Sequence, residues 1–460
     1  MKKTYIILLI FFAILLMFPR HQITLLDLSA GLSYLSNQRP SEELTLKTNS
    51  WTYPIEPFIS IPDYFLSFYD VKNQLISWLC WIVFFVVIFT VLQKKFMKIL
   101  PGIILAILWF ITFCLYVIFL PVNKYYAIPT APNLALIDFH SHTIYSHDGF
   151  ATPRYSITWH KRNGFNTWFI TDHNSTNGVA VIRDMVQRDK INAKICYGQE
   201  ISDKYNNHLL VFGLKKLNPP YSTEETKNIV KYVHNNGGAV IVAHWWEDRG
   251  SGFEKLYKSG VDGFEIYSHT KKMPAASEIL KTIAFCREKN LIMTGGTNWH
   301  GWGARNDVWT TVKIEDWQKM QHAEVENIIV NSIRNRKTDM FRTVIIDRNE
   351  PKTNLRVVFE PFVGLYYCFI GLNIWQRIVW LLWLSIMLLI IEKHNAFSTE
   401  KKNKLISYVY IVLSLFLLFC GILCFIKWGQ VAQYNHMLKD CSLFLASLAV
   451  LWGLAGAIKR

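Results

Sequence analysis

Apolar residues gather at the two ends of this chain and leave a polar middle. Runs 75–92, 99–120, 374–391, 405–426 and 441–458 are nearly unbroken stretches of Leu, Ile, Val, Phe and Trp. Each comes close to the roughly twenty residues that cross a hydrocarbon core as a helix. A shorter run, 4–18, follows Lys2 and Lys3 and has no small-residue cleavage site after it. It reads as an uncleaved anchor, with a cleaved signal peptide as the alternative. Between 134 and 314 the pattern changes. Short apolar runs at 134–139, 168–171, 194–197, 209–212, 239–243, 263–267, 291–294 and 309–314 predict strands. Segments 222–235, with Ser222 as cap and Glu225 three residues on, and 275–289 predict helices. This order is largely β-α-β-α, which predicts a parallel sheet or barrel with its chemistry at the carboxyl ends of the strands.

The pattern divides the chain into an anchor (1–20), an outer segment (21–74), two spans (75–121), a linker (122–133), a catalytic-type domain (134–350), an aromatic interfacial segment (351–373) and three more spans (374–460). The stretch 121–132, PVNKYYAIPTAP, reads as a stiff linker into that domain. Arg377, near the start of a span, is placed to snorkel to the headgroups. Short loops set orientation through their lysines. Lys94, Lys95 and Lys98 lie in one tight loop, Lys393, Lys401, Lys402 and Lys404 in another, and Lys459 and Arg460 end the chain. With all of them on the cytoplasmic side, the 134–350 domain and the 21–74 segment face outward.

Composition agrees with this division. Hydrophobic residues make up 51% of the chain, and the mean hydropathy of +0.17 places part of it in lipid. The net charge of +15 comes largely from lysines flanking apolar runs, so nucleic acid is not expected as a stable partner. Eight cysteines form no CxxC pair, which argues against a disulfide framework or a cysteine zinc site. Glu56, Asp63 and Asp70 in the outer segment read as solvated loop acids.

The candidate chemistry follows the strands. His140 and His142 come after the first, Asp172 and His173 after the second, and Glu200 just after the third. His208 opens the next strand, His244 closes 239–243, and Asn298 and His300 follow 291–294. A lone strand-end histidine is more often a hydrogen-bonding structural residue than a ligand. Imidazoles and carboxylates converging on one rim are what zinc, manganese or iron need.

The segments DFHSHTIYSHDG from Asp138, ITDHN from Ile170, GQE from Gly198, HLLVFG from His208, AHW from Ala243 and GTNWHG from Gly296 resemble the polymerase and histidinol phosphatase (PHP) family of metallophosphoesterases. The resemblance spans roughly residues 134–314. It implies an α/β fold, a distorted (β/α)7 barrel, here flanked by transmembrane helices, and two or three divalent ions (Mn2+, Zn2+ or Fe2+). Carried over, it gives His140, His142, Glu200 and Asn298 to a first metal. Glu200 bridges to a second, held by His208 and His244. Asp148, His173 and His300 take a third. The family usually has Asp where this chain has Asn298. The motif SHDG carries one residue more than the usual SDG, so Asp148 or His147 can reach the third metal, with Asp148 preferred. Asp172 is expected as a proton carrier or a partner to a ligand, and Arg154, Arg249 and Arg305 as phosphate grips.

The expected function is a membrane-anchored phosphoesterase that hydrolyses a phosphate mono- or diester with a metal-bound hydroxide. Candidate substrates are nucleotides, sugar phosphates, phospholipid headgroups and envelope phosphodiesters, the location favouring the last two. The alternative is a degenerate domain that senses a ligand without turnover, for which Asn298 speaks. A transporter is disfavoured, because the spans hold few buried charges.

Overall fold

The computed structural model describes residues 10, 14, 17–21, 23–30, 41–216, 221–247, 250–270, 273–348, 350 and 352–458. Most of the apolar run 4–18, Lys2 and Lys3, Arg249, Lys459 and Arg460 lie outside the described residues.

The strands are β1 (Thr24–Asp27), β2 (Leu44–Thr48), β3 (Tyr125–Pro129), β4 (Leu134–Asp138), β5 (Thr167–Ile170), β6 (Lys194–Ser202), β7 (His208–Phe212), β8 (Ala239–Val242), β9 (Gly263–Ser268), β10 (Ile292–Gly296), β11 (Val308–Lys313) and β12 (Phe341–Asp347). Ten of them form one sheet in the order β1-β12-β11-β4-β5-β6-β7-β8-β9-β10, and β2 pairs with β3 separately. Central strands such as β4 (LALID), β5 (TWFI) and β8 (AVIV) are buried along their whole length. Their continuous apolar runs reflect cover on both faces. One face packs Leu136, Trp168, Ile170 and Ile195 together, and another packs Ile137, Phe139, Phe169, Phe212 and Ile241.

The sheet is mixed rather than parallel. β4-β5-β6 and β8-β9-β10 run parallel, while β7 is antiparallel to both β6 and β8. The connection 203–207 is too short for the crossover that a parallel neighbour needs, so β6 and β7 form a hairpin. β11 and β12 are antiparallel additions, and β1, from the amino-terminal segment, pairs with β12. The stiff-linker reading of 121–132 is corrected: its Tyr-Tyr-Ala-Ile stretch has strand propensity and forms β3 against β2.

The helices are α1 (Glu56–Phe65), α2 (Val71–Leu92), α3 (Ile99–Phe119), α4 (Pro153–Arg162), α5 (Asn177–Arg188), α6 (Thr226–Asn235), α7 (Phe253–Lys258), α8 (Ala276–Glu288), α9 (His322–Arg334), α10 (Asn354–Val358), α11 (Glu360–Ile370), α12 (Ile374–Asn395), α13 (Thr399–Val431) and α14 (Met437–Ile458). Ser222 does not cap α6. It lies in a 3-10 turn, and the helix starts four residues later after Glu225.

Among the described residues, five helices (α2, α3, α12, α13 and α14) are long and apolar enough to cross a membrane. Serine hydroxyls stitch α13 to α14, Ser407 to the Gly456 carbonyl at 2.8 Å and Ser414 to that of Ala449 at 2.7 Å. Such bonds between helices replace the hydrophobic drive that lipid removes. Lys94, Lys95 and Lys98 lie at the turn between α2 and α3, whereas Lys393 lies within α12 and Lys401, Lys402 and Lys404 within α13, on either side of the turn 396–398.

Two expectations about charge are overturned. Glu56 and Asp63 are buried, not solvated. Glu56 pairs with Lys124 at 2.9 Å, and Asp63 with Arg348 at 2.7 Å. Burial so deep requires a paired cation, and the pairs pin α1 to the sheet domain. Asp70 caps α2 through the Asn73 backbone N–H. Arg377 does not snorkel. It is 3% exposed and donates to the carbonyls of Phe18, Ile370 and Leu372, which supply acceptors for its buried guanidinium.

Candidate metal centre

The loops that follow β4 and β10 are sewn together before they turn inward. Ser141 and Trp299 form a parallel bridge. The Asn298 N–H donates to the His140 carbonyl at 2.7 Å, and the His142 N–H to that of Trp299 at 2.8 Å. Asp138, at the end of β4, secures this seam. Its Oδ1 accepts from the His140 and Thr297 backbones, and its Oδ2 from the Thr297 hydroxyl at 2.6 Å and from His160 Nε2 at 3.1 Å. Gly296 makes the approach possible, since a Cβ there would lie 2.4 Å from both Glu265 Oε1 and His140 Cβ.

Glu200 occupies the centre. It lies inside β6 rather than after it, because the hairpin with β7 extends that strand to Ser202. Its Oε2 stands 3.0 Å from His140 Nε2, 3.2 Å from His142 Nε2 and 3.5 Å from His173 Nε2. Its Oε1 stands 2.6 Å from His208 Nδ1 and 3.2 Å from His244 Nε2. Asp148 Oδ2 lies 3.1 Å from His300 Nε2 and 3.6 Å from His173 Nε2. Among the described residues, two sets of donor atoms gather within 4.8 Å: His142, Asp148, His173 and His300, and His140, Glu200 and His244. His142 thus stands with the Asp148 set as well as beside His140. His147 is outside both sets, with its side chain 61% exposed.

These residues fit divalent cations. The Nε2 atoms of His140 and His142 and Oε2 of Glu200 make a triangle with sides of 3.1, 3.0 and 3.2 Å. Ligands about 2.1 Å from one ion stand about 3.0 Å apart at right angles and about 3.4 Å apart at tetrahedral angles. His140 Nδ1 meets Glu265 Oε1 at 3.1 Å, and His244 Nδ1 meets Glu247 Oε2 at 3.3 Å. A carboxylate on Nδ1 fixes the proton there and turns the Nε2 lone pair inward, as metal-binding imidazoles require. Asn298 Oδ1 is buried without a hydrogen-bond partner, an acceptor that a cation would complete.

The electrostatics divide the cluster. Burial favours a neutral Glu200, but the His173 and His140 imidazoles hold its carboxyl well below the usual range. Asp148 is likewise held low against burial by hydrogen bonds from His173 and His300. Burial drives His142 well below its ordinary value, and the neighbouring His300 adds to this. His140 goes the other way: burial opposes, yet Glu265 and Glu200 raise it to about 10. Ionised carboxylates among crowded imidazoles are the charge pattern that a bound cation neutralises.

Asp172 is fully buried behind this ring, and burial pushes it up to about 7. Its two oxygens accept the Thr143 N–H at 2.5 Å and the Thr143 hydroxyl at 2.7 Å, so it holds the loop carrying His142. Arg305 is not turned to the cluster. Its guanidinium forks onto Asp307 at 2.5–2.8 Å and donates to the Asp63 carbonyl at 3.0 Å, which corrects its reading as a phosphate grip. Arg154 pairs with Asp189 on the surface. Glu265 and Glu247 were missed. An acid in the middle of the buried strand GFEIYS was the available signal for Glu265.

No family model matches the chain, and no curated protein matches it. Several solved structures are similar to part of it. One, from Bifidobacterium adolescentis and described as a metal-dependent phosphoesterase, is 18% identical over 36% of this chain and 88% of its own, with a TM-score of 0.31. An amidohydrolase from Chromobacterium violaceum, with bound sulfate and no metal, is 16% identical over 36% and 87%, with a TM-score of 0.29. PsfC from Pseudomonas syringae is 14% identical over 45% and 100%, with a TM-score of 0.33.

Proposed function

We propose that this protein is a membrane-anchored, metal-dependent phosphoesterase of the PHP kind, hydrolysing a phosphate mono- or diester on the outer face of the membrane. One observation carries the reading: Glu200 lies within 3.5 Å of ring nitrogens from His140, His142, His173, His208 and His244. A single ionised carboxylate among five imidazoles is a poor structural core and a good cradle for two or three cations. The consecutive strands β4 to β10, closed by the Ser141–Trp299 seam, support a distorted (β/α)7 barrel.

Bound divalent ions would supply a water of lowered pKa and positive charge for the phosphoryl oxygens. The chain's own residues supply the rest. Glu265 and Glu247 hold the tautomers of His140 and His244. Asp172 fixes the His142 loop through Thr143. His208 and His244, with Asn207, Ala243 and Trp245, line a small pocket beside the donors.

The test is a panel of phosphomonoesters and diesters given to the purified full chain loaded with Mn2+ or Zn2+. Turnover abolished in His140→Ala is expected. A fully metal-loaded protein that turns over no ester in the panel would sink the reading.

A further inference from the structure

The outer ends of three membrane helices form part of the wall around the Asp148–His300 half of the site. Asn435, fully buried in the turn between α13 and α14, donates to the carbonyls of Gly149 at 2.5 Å and Ile144 at 3.4 Å. These carbonyls bracket the loop that carries Asp148. The Asn435 Oδ1 also accepts the Leu438 N–H at 3.0 Å. Ile144 packs with Val431 and Leu438 in one buried cluster. The Tyr434 hydroxyl accepts from Asn177 Nδ2 at 2.6 Å. At α3, the Ile118 carbonyl accepts the Gly303 N–H at 2.6 Å. A file of rings then leads inward: Phe119 to Phe150 at 6.1 Å, Phe150 to Trp302 at 5.3 Å, and Trp302 stacked on His300 at 5.7 Å.

The ligand loops are therefore seated on the spans rather than held away from them. The headgroup layer extends roughly 5–8 Å beyond the hydrocarbon on each side, so side chains resting on helix ends stand at the level of lipid phosphates. α13 has 33 residues, about 50 Å of helix against a core of about 30 Å, so it projects beyond the hydrocarbon. Lys427 and Lys439 are exposed at the outer ends of α13 and α14, where cations attract anionic lipid.

Resting on the phosphoesterase reading above, we infer that the substrate is a phosphoester borne by a membrane lipid, entering the site from the headgroup layer past the α13–α14 turn. In the reaction a water oxygen bonds to phosphorus and the P–O bond to the lipid breaks. The water proton ends on the leaving oxygen, so the products are a lipid alcohol and a phosphate species, with no redox change.

The test reconstitutes the full chain with Mn2+ in phosphatidylcholine vesicles containing phosphatidic acid or phosphatidylglycerol. Their water-soluble counterparts, glycerol 3-phosphate and glycerophosphoglycerol, and the generic ester bis(p-nitrophenyl) phosphate are assayed beside them. The expected result is a kcat/KM at least about tenfold higher for one lipid ester than for its soluble counterpart, lost in His140→Ala. Soluble esters hydrolysed as well as or better than both lipids would overturn the lipid assignment and leave the phosphoesterase standing. No hydrolysis of any ester, the generic one included, would overturn both. Asn435→Ala serves as a second variant. It is expected to weaken Mn2+ binding and slow lipid and soluble esters alike, with partial rescue by Asn435→Gln. Unchanged Mn2+ affinity and lipid turnover in Asn435→Ala would count against the seating of the loop on the spans, and so against the inference.

Discussion

The Nδ1 of His140 meets Glu265 Oε1 at 3.1 Å, while the other oxygen of Glu265 accepts the His244 backbone N–H at 3.0 Å. One carboxylate thus orients a donor on each side of Glu200. Glu265→Gln keeps the shape and one acceptor but removes the charge that fixes the His140 tautomer. Partners of this kind typically contribute 10–100-fold to metal affinity, so a loss of about that size is expected in a competitive chelator titration with Mn2+ or Zn2+. An unchanged affinity would show that His140 needs no orienting partner.

Asn298 sits at φ 48°, in the left-handed region that Asn tolerates better than most residues, with its Oδ1 buried and unpartnered. Asn298→Asp tolerates the same backbone and adds a charge to the donor set. Divalent affinity is expected to rise about tenfold, roughly 1.4 kcal/mol, with kcat rising or unchanged. If the variant gains turnover where the native chain has none, the native domain is a ligand sensor. A fall in affinity would place Oδ1 away from the ions.

Much of this architecture was legible in the sequence. The eight strands expected between 134 and 314 are all present, because fully buried strands read as unbroken apolar runs. The donors follow the same logic: a strand end is a rim, and histidines repeated at rims stand out. What escaped was set by partners distant in sequence. β1 reads as loop until β12 lies beside it. The pairs Glu56–Lys124 and Asp63–Arg348 join residues 68 and 285 positions apart, and nothing local marks those acids as buried. Arg305 looked free for phosphate because its carboxylate, Asp307, is two residues away, where strand alternation does not by itself decide a pairing. The apolar run stops at Tyr197 and so puts Glu200 beyond the strand end, although the hairpin carries the pairing on to Ser202.

His322 gives a pH dependence away from the donors. Its Nδ1 accepts the Ile195 N–H at 3.2 Å. Burial, then the nearby Arg183 and Lys194 charges, push its ring down to about 4. The unfolded ring titrates near 6.5, so protonation favours unfolding. The stabilisation is fully present above about pH 6.5 and is lost as the pH falls through 4. With metal saturating throughout, the Tm of the native chain is expected to fall more steeply between pH 6.5 and 4 than that of His322→Gln, which keeps an acceptor for Ile195. Parallel slopes would remove His322 from the acid response.

Arg305 offers the sharpest separation between a binding role and a structural one. Its side chain is 7% exposed, and its partner Asp307 is equally buried. Removing one member of such a pair leaves a buried charge uncompensated, a loss of roughly 3–5 kcal/mol. Arg305→Ala is therefore expected to lower Tm sharply in detergent. Removing Asp307 as well should recover part of that loss, since both charges are then gone. Metal affinity and KM for a phosphoester should change little at temperatures where the variant stays folded, because the guanidinium bonds to Asp307 and Asp63 rather than to the donor cluster. A variant with native Tm and a strongly raised KM would show instead that Arg305 leaves Asp307 to hold phosphate during turnover.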